Sequence, residues 1–247
     1  MQEVASAKLS IDPELLPSAG ARVLDAGCGD GRHLRAAAAR GCDVIGVDYD
    51  IAELRKARTL VPVGQFIVAD ATRLPFRPSS FDAVICTETL EHLPDDRSAM
   101  REIARVLHDG GWLHGAVPSH FTEIPFFRLS GGYRNAPGGH VRIYAPHVLI
   151  ARLANCGLLV TSFRYVHFLD SLIWLRYCVS DALRRERPRT DFEAAVLLAV
   201  SQERAVAPWR AAVRHGIARS PFIALIDRVG ALIWPKSFTF VARKRRR

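Results

Sequence analysis

The sequence predicts an α/β fold: a mainly parallel sheet with helices on both faces and a helical insertion before its last strand. Three observations predict it. Short apolar runs alternate with helix-like runs from Val23 to Val117, the pattern of stacked β-α units. The first apolar run opens on a turn with Gly27, Gly29 and Gly31 at every second position and then on a helix-like run, the device by which open α/β sheets hold ligands at the carboxyl ends of strands. The connections are short, so the β-α-β-α-β-β order needs parallel neighbours joined by right-handed crossovers. A chain of 247 residues with 49% hydrophobic content can build one large domain of this kind.

Each element can be read in turn. Residues 1–22 form a short lead-in helix and loop, broken at Pro13 and Pro17. Val23 to Ala26 is the first strand and carries Asp25. Arg32 to Arg40 is the first helix, stopped by Gly41. Asp43 to Val47 is the second strand, and it ends at Asp48. Ile51 to Arg58 is a helix that Asp50 can cap. Gln65 to Ala69 is the third strand, ending at Asp70-Ala71, and Ala83 to Cys86 is the fourth, leading to Thr87. Arg97 to Leu107 reads as a helix ended by Asp109-Gly110-Gly111, and Trp112 to Val117 as the fifth strand. Ser119–Ala145 looks loop-rich. Because it follows a strand's carboxyl end, it should border a ligand pocket. Pro146 to Asn155 is a helix closed by Gly157, and Leu158 to Phe163 is the sixth strand. Ser237–Ala242 is the candidate seventh strand. Before it, Leu169–Arg185, Phe192–Arg214 and Phe222–Trp234 alternate apolar and basic residues at helical spacing. The expected division is 1–166 for the core, 167–235 for the insertion, a lid or dimer face, and 236–247 for the last strand and a basic tail.

Composition narrows the classes. Five cysteines, scattered and without a C-x-x-C pair, argue against a disulfide framework or cysteine zinc site and for a reducing cytoplasm. No basic-then-apolar leader opens the sequence, and no apolar run reaches the ~18 residues of a membrane span. The formal net charge is +9, part of it in Arg243–Arg247. Such a tail can touch nucleic acid or anionic lipid but is more often a solvated terminus.

The glycine turn indicates its ligand. The spacing is G-x-G-x-G, not the G-x-G-x-x-G of dinucleotide binders, and no Lys-Ser/Thr follows as in a phosphate loop. Asp25 before the glycines would repel a pyrophosphate and suits an ammonium group. Asp48 lies roughly 20 residues on, where such sites place a ribose-binding carboxylate, and Tyr49 beside it is placed to cover the base. VLDAGCGDG, VIGVDYD, ADATRLPF, FDAVICTETLEHL and VLHDGGWLHGAVPS stand in order across Val23–Ser119. Together they resemble class I S-adenosylmethionine (SAM) methyltransferases, nearest the ubiquinone/menaquinone-type subgroup. The resemblance implies a Rossmann-like, seven-stranded sheet and SAM as cofactor. It implies Asp25, Gly27 and Gly29 near the methionine part, Asp48 and Tyr49 at the nucleoside, Asp70 and Ala71 around the adenine, and Thr87 at the cofactor site. The Ala/Arg-rich composition is like that of actinobacterial proteins, and mycobacterial methyltransferases of polysaccharide precursors fall in this subgroup.

Glu88, Glu91 and His92 follow the fourth strand. On a helix, positions i, i+3 and i+4 share one face, and two carboxylates with an imidazole can hold a divalent ion, Mg or Mn. His140 is the candidate fourth ligand, with His120 in reserve. The pattern resembles metal-dependent ubiquinone-pathway O-methyltransferases and small-RNA 3′-end methyltransferases. Without a metal, His92 packs or caps, and His140 is the candidate general base, with His120 and His92 behind it. Glu88 is a further catalytic candidate. Tyr133 and Arg142 could orient an acceptor, and Phe126, Phe127 and Trp174 could stack on it, although core packing is the commoner use of such rings. The expected reaction is O-methylation of a small hydroxylated acceptor, with a sugar or oligosaccharide favoured. The alternatives are a quinone, polyketide or lipid acceptor, RNA methylation guided by the basic tail, and a non-catalytic SAM-binding protein. A homodimer through the insertion is expected, and nucleic acid is not an expected partner.

Overall fold

The computed structural model describes residues 9–134, 139–183 and 220–246. A seven-stranded sheet runs in the order β3-β2-β1-β4-β5-β7-β6. Its strands are β1 (Arg22–Ala26), β2 (Asp43–Asp48), β3 (Gln65–Val68), β4 (Phe81–Thr87), β5 (Leu107–Pro118), β6 (Leu158–Val166) and β7 (Ser237–Lys244). The four pairs from β3 to β5 are parallel. β7 runs the other way. Against β6, Lys236 N–H donates to the Val166 carbonyl and Arg245 N–H to that of Gly157, so one number rises as the other falls. Against β5, Ser119 N–H donates to the Lys236 carbonyl, Gly115 faces Phe240, and Arg243 lies over Trp112.

The sheet forms because β1 and β4 are nearly unbroken apolar runs, as strands covered on both faces must be. Val23, Ala83 and Ile85 pack with Leu34 and Ala37 of α1 (Arg32–Ala39) and Leu54 of α2 (Ile51–Leu60). Val23 and Asp25 alternate to this same face, so Asp25 is a charged residue in an apolar row. Asp50 caps α2 through Ala52 N–H at 2.7 Å. α6 (Pro146–Asn155) ends at Gly157, whose φ is +80°. Arg152 of α6 pairs with the buried Asp96 of α3 (Asp96–Val106).

Three expectations are corrected. The helix before the fifth strand is not ended by Asp109-Gly110-Gly111. It stops at Leu107, which is already extended, and the strand starts there. Phe81 pairs with Leu107 but Ala83 with Trp112, so the glycines form a bulge inside β5. The loop-rich reading of Ser119–Ala145 fails where α4 (His120–Leu129) and α5 (Gly131–Arg134) form. Pro125 suggests a break, since it cannot donate to the carbonyl of Phe121, but the Trp234 indole N–H donates to that carbonyl at 3.1 Å. The basic end is also less free than a tail. Arg243 and Lys244 lie in β7, and the Lys244 ammonium donates to the Leu107 carbonyl at 2.7 Å.

The chain forms two compact units. One comprises residues 1–117, 146–164 and 239–247, the other 118–145 and 165–238. Of the expected insertion, α7 (Phe168–Leu183) and α8 (Pro221–Gly230) are helical and belong to the second unit. Phe192–Arg214 lies outside the described residues. No described helix is long and apolar enough to cross a membrane.

Candidate functional site

In the first unit the glycine turn is bolted to the end of β2. The Val47 carbonyl accepts from Gly27 N–H at 2.8 Å and from Cys28 N–H at 3.0 Å. Asp48 closes the turn from the side, accepting Gly29 N–H at 2.9 Å through Oδ2 and Asp50 N–H at 2.9 Å through Oδ1. Gly27 has φ +82°, and a Cβ there would lie 2.3 Å from Thr89 Oγ1, so the turn needs glycine for both reasons. A Cβ on Gly29 would meet nothing within 4 Å, so the turn is open on that side.

Asp25 stands at the head of this turn, fully buried, and neither carboxylate oxygen has a hydrogen-bond partner among the described residues. Burial raises its carboxyl well above the ordinary range. Arg32 opposes the shift, and Asp48 and Asp30 add to it. An orphaned buried carboxylate requires an explanation, and a cationic ligand group supplies one. Tyr49 is 83% exposed beyond β2. Past β3, Asp70 accepts Thr72 N–H at 2.7 Å, with Ala71 buried beside it. Thr87 ends β4, two residues beyond Ile85, the partner of Asp25, so it stands level with Gly27. The turn, Asp48 and Thr87 thus collect at the carboxyl ends of β1, β2 and β4.

The α-helical face expected for Glu88, Glu91 and His92 does not form. Glu91 and His92 sit on a 3-10 turn of three residues, Leu90–His92. Glu88 precedes it with φ +51°, which turns the chain out of β4. The three side chains therefore share no α-helical face, because no α-helix begins until Asp96. They belong to the first unit, and His120 and His140 to the second.

In the second unit, His140 joins Tyr133 in a network with two residues that the sequence reading missed, Glu123 and Lys236. Glu123 on α4 is buried, and its Oε2 lies 2.6 Å from His140 Nδ1. Its Oε1 accepts the Tyr133 hydroxyl at 2.7 Å and the Lys236 ammonium at 2.8 Å. Burial pushes Glu123 up, but Lys236 and then His140 outweigh it and hold the carboxyl at about 2. An ionised carboxylate only accepts, so the proton of the neutral His140 ring lies on Nδ1 and Nε2 is its basic nitrogen. The Lys236 ammonium also lies 5.8–5.9 Å from the ring centres of Phe126, Tyr133 and Trp174, within cation–π range. Tyr133 is therefore fixed by this network. His120 begins α4 with its ring 4.2 Å from that of Phe121. One signal for Glu123 was available: an acid inside the apolar run Phe121–Phe127, with a lysine just before the last strand.

Comparison with known proteins agrees with the first unit. Residues 24–114 match the methyltransferase domain family. A ubiquinone biosynthesis O-methyltransferase of Chromobacterium violaceum is 38% identical over 100 residues, 38% of this chain and 43% of that protein. A demethylmenaquinone methyltransferase of Renibacterium salmoninarum is 38% identical over 107 residues, 43% of this chain and 45% of that protein. The chain thus spans under half the length of these curated relatives. The solved SAM-dependent methyltransferase of Mesorhizobium loti shares the fold, with a TM-score of 0.59 and 17% identity over 94% of both chains. The matched stretch, residues 24–114, carries the glycine turn, Asp48 and Thr87.

Proposed function

We propose that this chain binds SAM at the Gly27–Gly31 turn and transfers its methyl group to a hydroxyl of a small acceptor. The observation that carries the reading is Asp25: a buried carboxylate without a partner among the described residues, at the head of a glycine turn open over Gly29. The residues fit the cofactor. Asp25 would take the ammonium of the amino-acid part, Asp48 the ribose hydroxyls, Tyr49 and Asp70 with Ala71 the adenine. When bound, SAM supplies an activated methyl group on a sulfonium, so the protein's work is alignment and proton removal.

We assign proton removal to His140. Its Nδ1–H is held by Glu123, whose charge Lys236 and Tyr133 fix. The imidazole thus presents Nε2 as the base, oriented by a carboxylate as general bases commonly are. His120 and Glu88 are the reserve candidates. Activation of the acceptor by Mg or Mn on Glu88, Glu91, His92 and His140 is the competing proposal. A sugar diol suits that route, and the ubiquinone and menaquinone methyltransferases among the relatives favour a quinol.

Methyl transfer from labelled SAM to a panel of sugars, catechols, quinols and lipids, with and without EDTA, tests the reading. Activity indifferent to EDTA and lost in His140→Ala supports the base. Activity that EDTA destroys and Mn restores moves the role to the metal. SAM binding with no transfer to any acceptor favours a non-catalytic binder, and absence of SAM binding overturns the whole reading. The same panel with short RNA should give no transfer. The exposed Phe222, Leu225, Val229, Leu232 and Ile233 on and after α8 support a homodimer contact through the second unit, which sedimentation would reveal. The five free cysteines fit a reducing cytoplasm.

A further inference from the structure

A buried histidine, unused so far, joins the lead-in segment to the cofactor end of β4. His33 is the second residue of α1 and is 2% exposed. Its two ring nitrogens face different partners. Ser10 N–H lies 3.2 Å from Nε2, and Thr87 Oγ1 lies 3.1 Å from Nδ1. A backbone N–H can only donate, so Nε2 carries no proton. The ring is neutral, because burial and then Arg32 hold its pKa at about 3. Its one proton is therefore on Nδ1 and is donated to Thr87 Oγ1. The Thr87 hydroxyl thus accepts from His33, and its own hydrogen must point elsewhere. Thr87 makes no other side-chain hydrogen bond among the described residues, while its carbonyl is taken by Thr89 Oγ1 at 3.0 Å. By register Thr87 stands level with Gly27, and by alternation it faces the same side of the sheet as Asp25.

We propose that Ser10 and His33 form a relay that fixes the Thr87 hydroxyl as a donor to the carboxylate of SAM's amino-acid part, with His33 as a positioning residue. The inference rests on SAM occupying the glycine turn. It divides the labour at that end of the site: Asp25 takes the ammonium and Thr87 the carboxylate, which is how a zwitterion is told from an amine. It also gives the lead-in segment a role, since its Ser10 N–H sets the tautomer that makes Thr87 a donor.

The test is calorimetric binding of SAM and of decarboxylated SAM, which keeps the ammonium and lacks the carboxylate. Thr87→Val keeps the shape and removes the hydroxyl. His33→Asn places an amide donor where Nδ1 stands, whereas His33→Gln places its amide where Nε2 stands and leaves Thr87 without a donor. Thr87→Val and His33→Gln should each weaken SAM roughly 10-fold or more, as expected for a hydrogen bond to a charged group. They should leave decarboxylated SAM within about twofold, while His33→Asn keeps SAM affinity near that of the unaltered protein. Unchanged SAM affinity in Thr87→Val overturns the proposal, as does equal loss of both compounds. Should His33→Gln not fold, Thr87→Val and Thr87→Ser decide alone, the serine restoring SAM affinity. If the unaltered protein binds neither compound, the SAM reading itself fails, and that outcome is distinct from failure of the relay.

Discussion

Asp25 on β1 and Glu123 on α4 are carboxylates equally closed off from solvent, yet one has no partner among the described residues and the other has three. Their protonation differs accordingly. Burial is the largest influence on Asp25 and lifts its pKa against Arg32, while Lys236 and His140 overcome burial at Glu123 and lower it to about 2. The same side-chain chemistry thus serves two ends. A buried charge left without a counter-charge costs the fold and is retained where a ligand completes it. A buried charge fully met by neighbours holds those neighbours in place.

The contrast can be broken most sharply at Glu123. Glu123→Ala leaves the Lys236 ammonium buried without its carboxylate and should cost about 3–5 kcal/mol in urea unfolding. A loss below about 1 kcal/mol would show that the network is not structural. Asp25→Asn should do the reverse. It should weaken SAM by about 2–3 kcal/mol, roughly 30- to 150-fold. A raised carboxyl pKa costs the ligand-free fold stability as pH rises past the unfolded value, so the ligand-free melting temperature should hold or rise. A drop in that temperature with SAM affinity intact would erase the distinction.

Two buried histidines sharpen it through pH. Burial holds His33 at about 3 and His114 at about 4, below the ordinary 6.5, so the unfolded chain takes up protons first as the solution acidifies. Their contribution is complete above about pH 6.5 and is lost as pH falls toward those values. Between pH 6.5 and 5 each should cost about 2 kcal/mol, and His114→Leu should halve the slope of stability against pH. Glu123 adds acid sensitivity only below its ordinary 4.5, its stabilisation being lost as pH falls toward about 2. The smallest effect is expected for Tyr133→Phe, which removes one of three donors to Glu123 and should cost about 1 kcal/mol.

How much of this could be read from the sequence follows the distance between partners. The β1 turn, Asp48 and the helix Pro146–Asn155 are local patterns of apolar period, glycine and cap, and the structure places them where those patterns do. The β5 bulge was hidden because Gly110-Gly111 after a helix reads as a helix stop. α4 was hidden because Pro125 reads as a breaker, and its remedy, the Trp234 indole, lies far along the chain. Glu123 and His33 were missed for the same reason. Their partners stand 113 residues apart for Lys236 and 54 for Thr87, and neither acid nor imidazole announces a distant partner. The face expected for Glu88, Glu91 and His92 failed for a local reason: the segment folds as one 3-10 turn after a left-handed residue.

The order of the strands also sets an order in time. β7 lies between β5 and β6, so during synthesis β6 leaves the ribosome before the strand that joins it to the sheet exists. Until residues 237–244 emerge, β5 presents an open row of backbone donors and acceptors, and β6 has no neighbour. The nascent chain must keep that edge covered through the translation of everything between β6 and β7, and a stall in that interval would expose it to other chains.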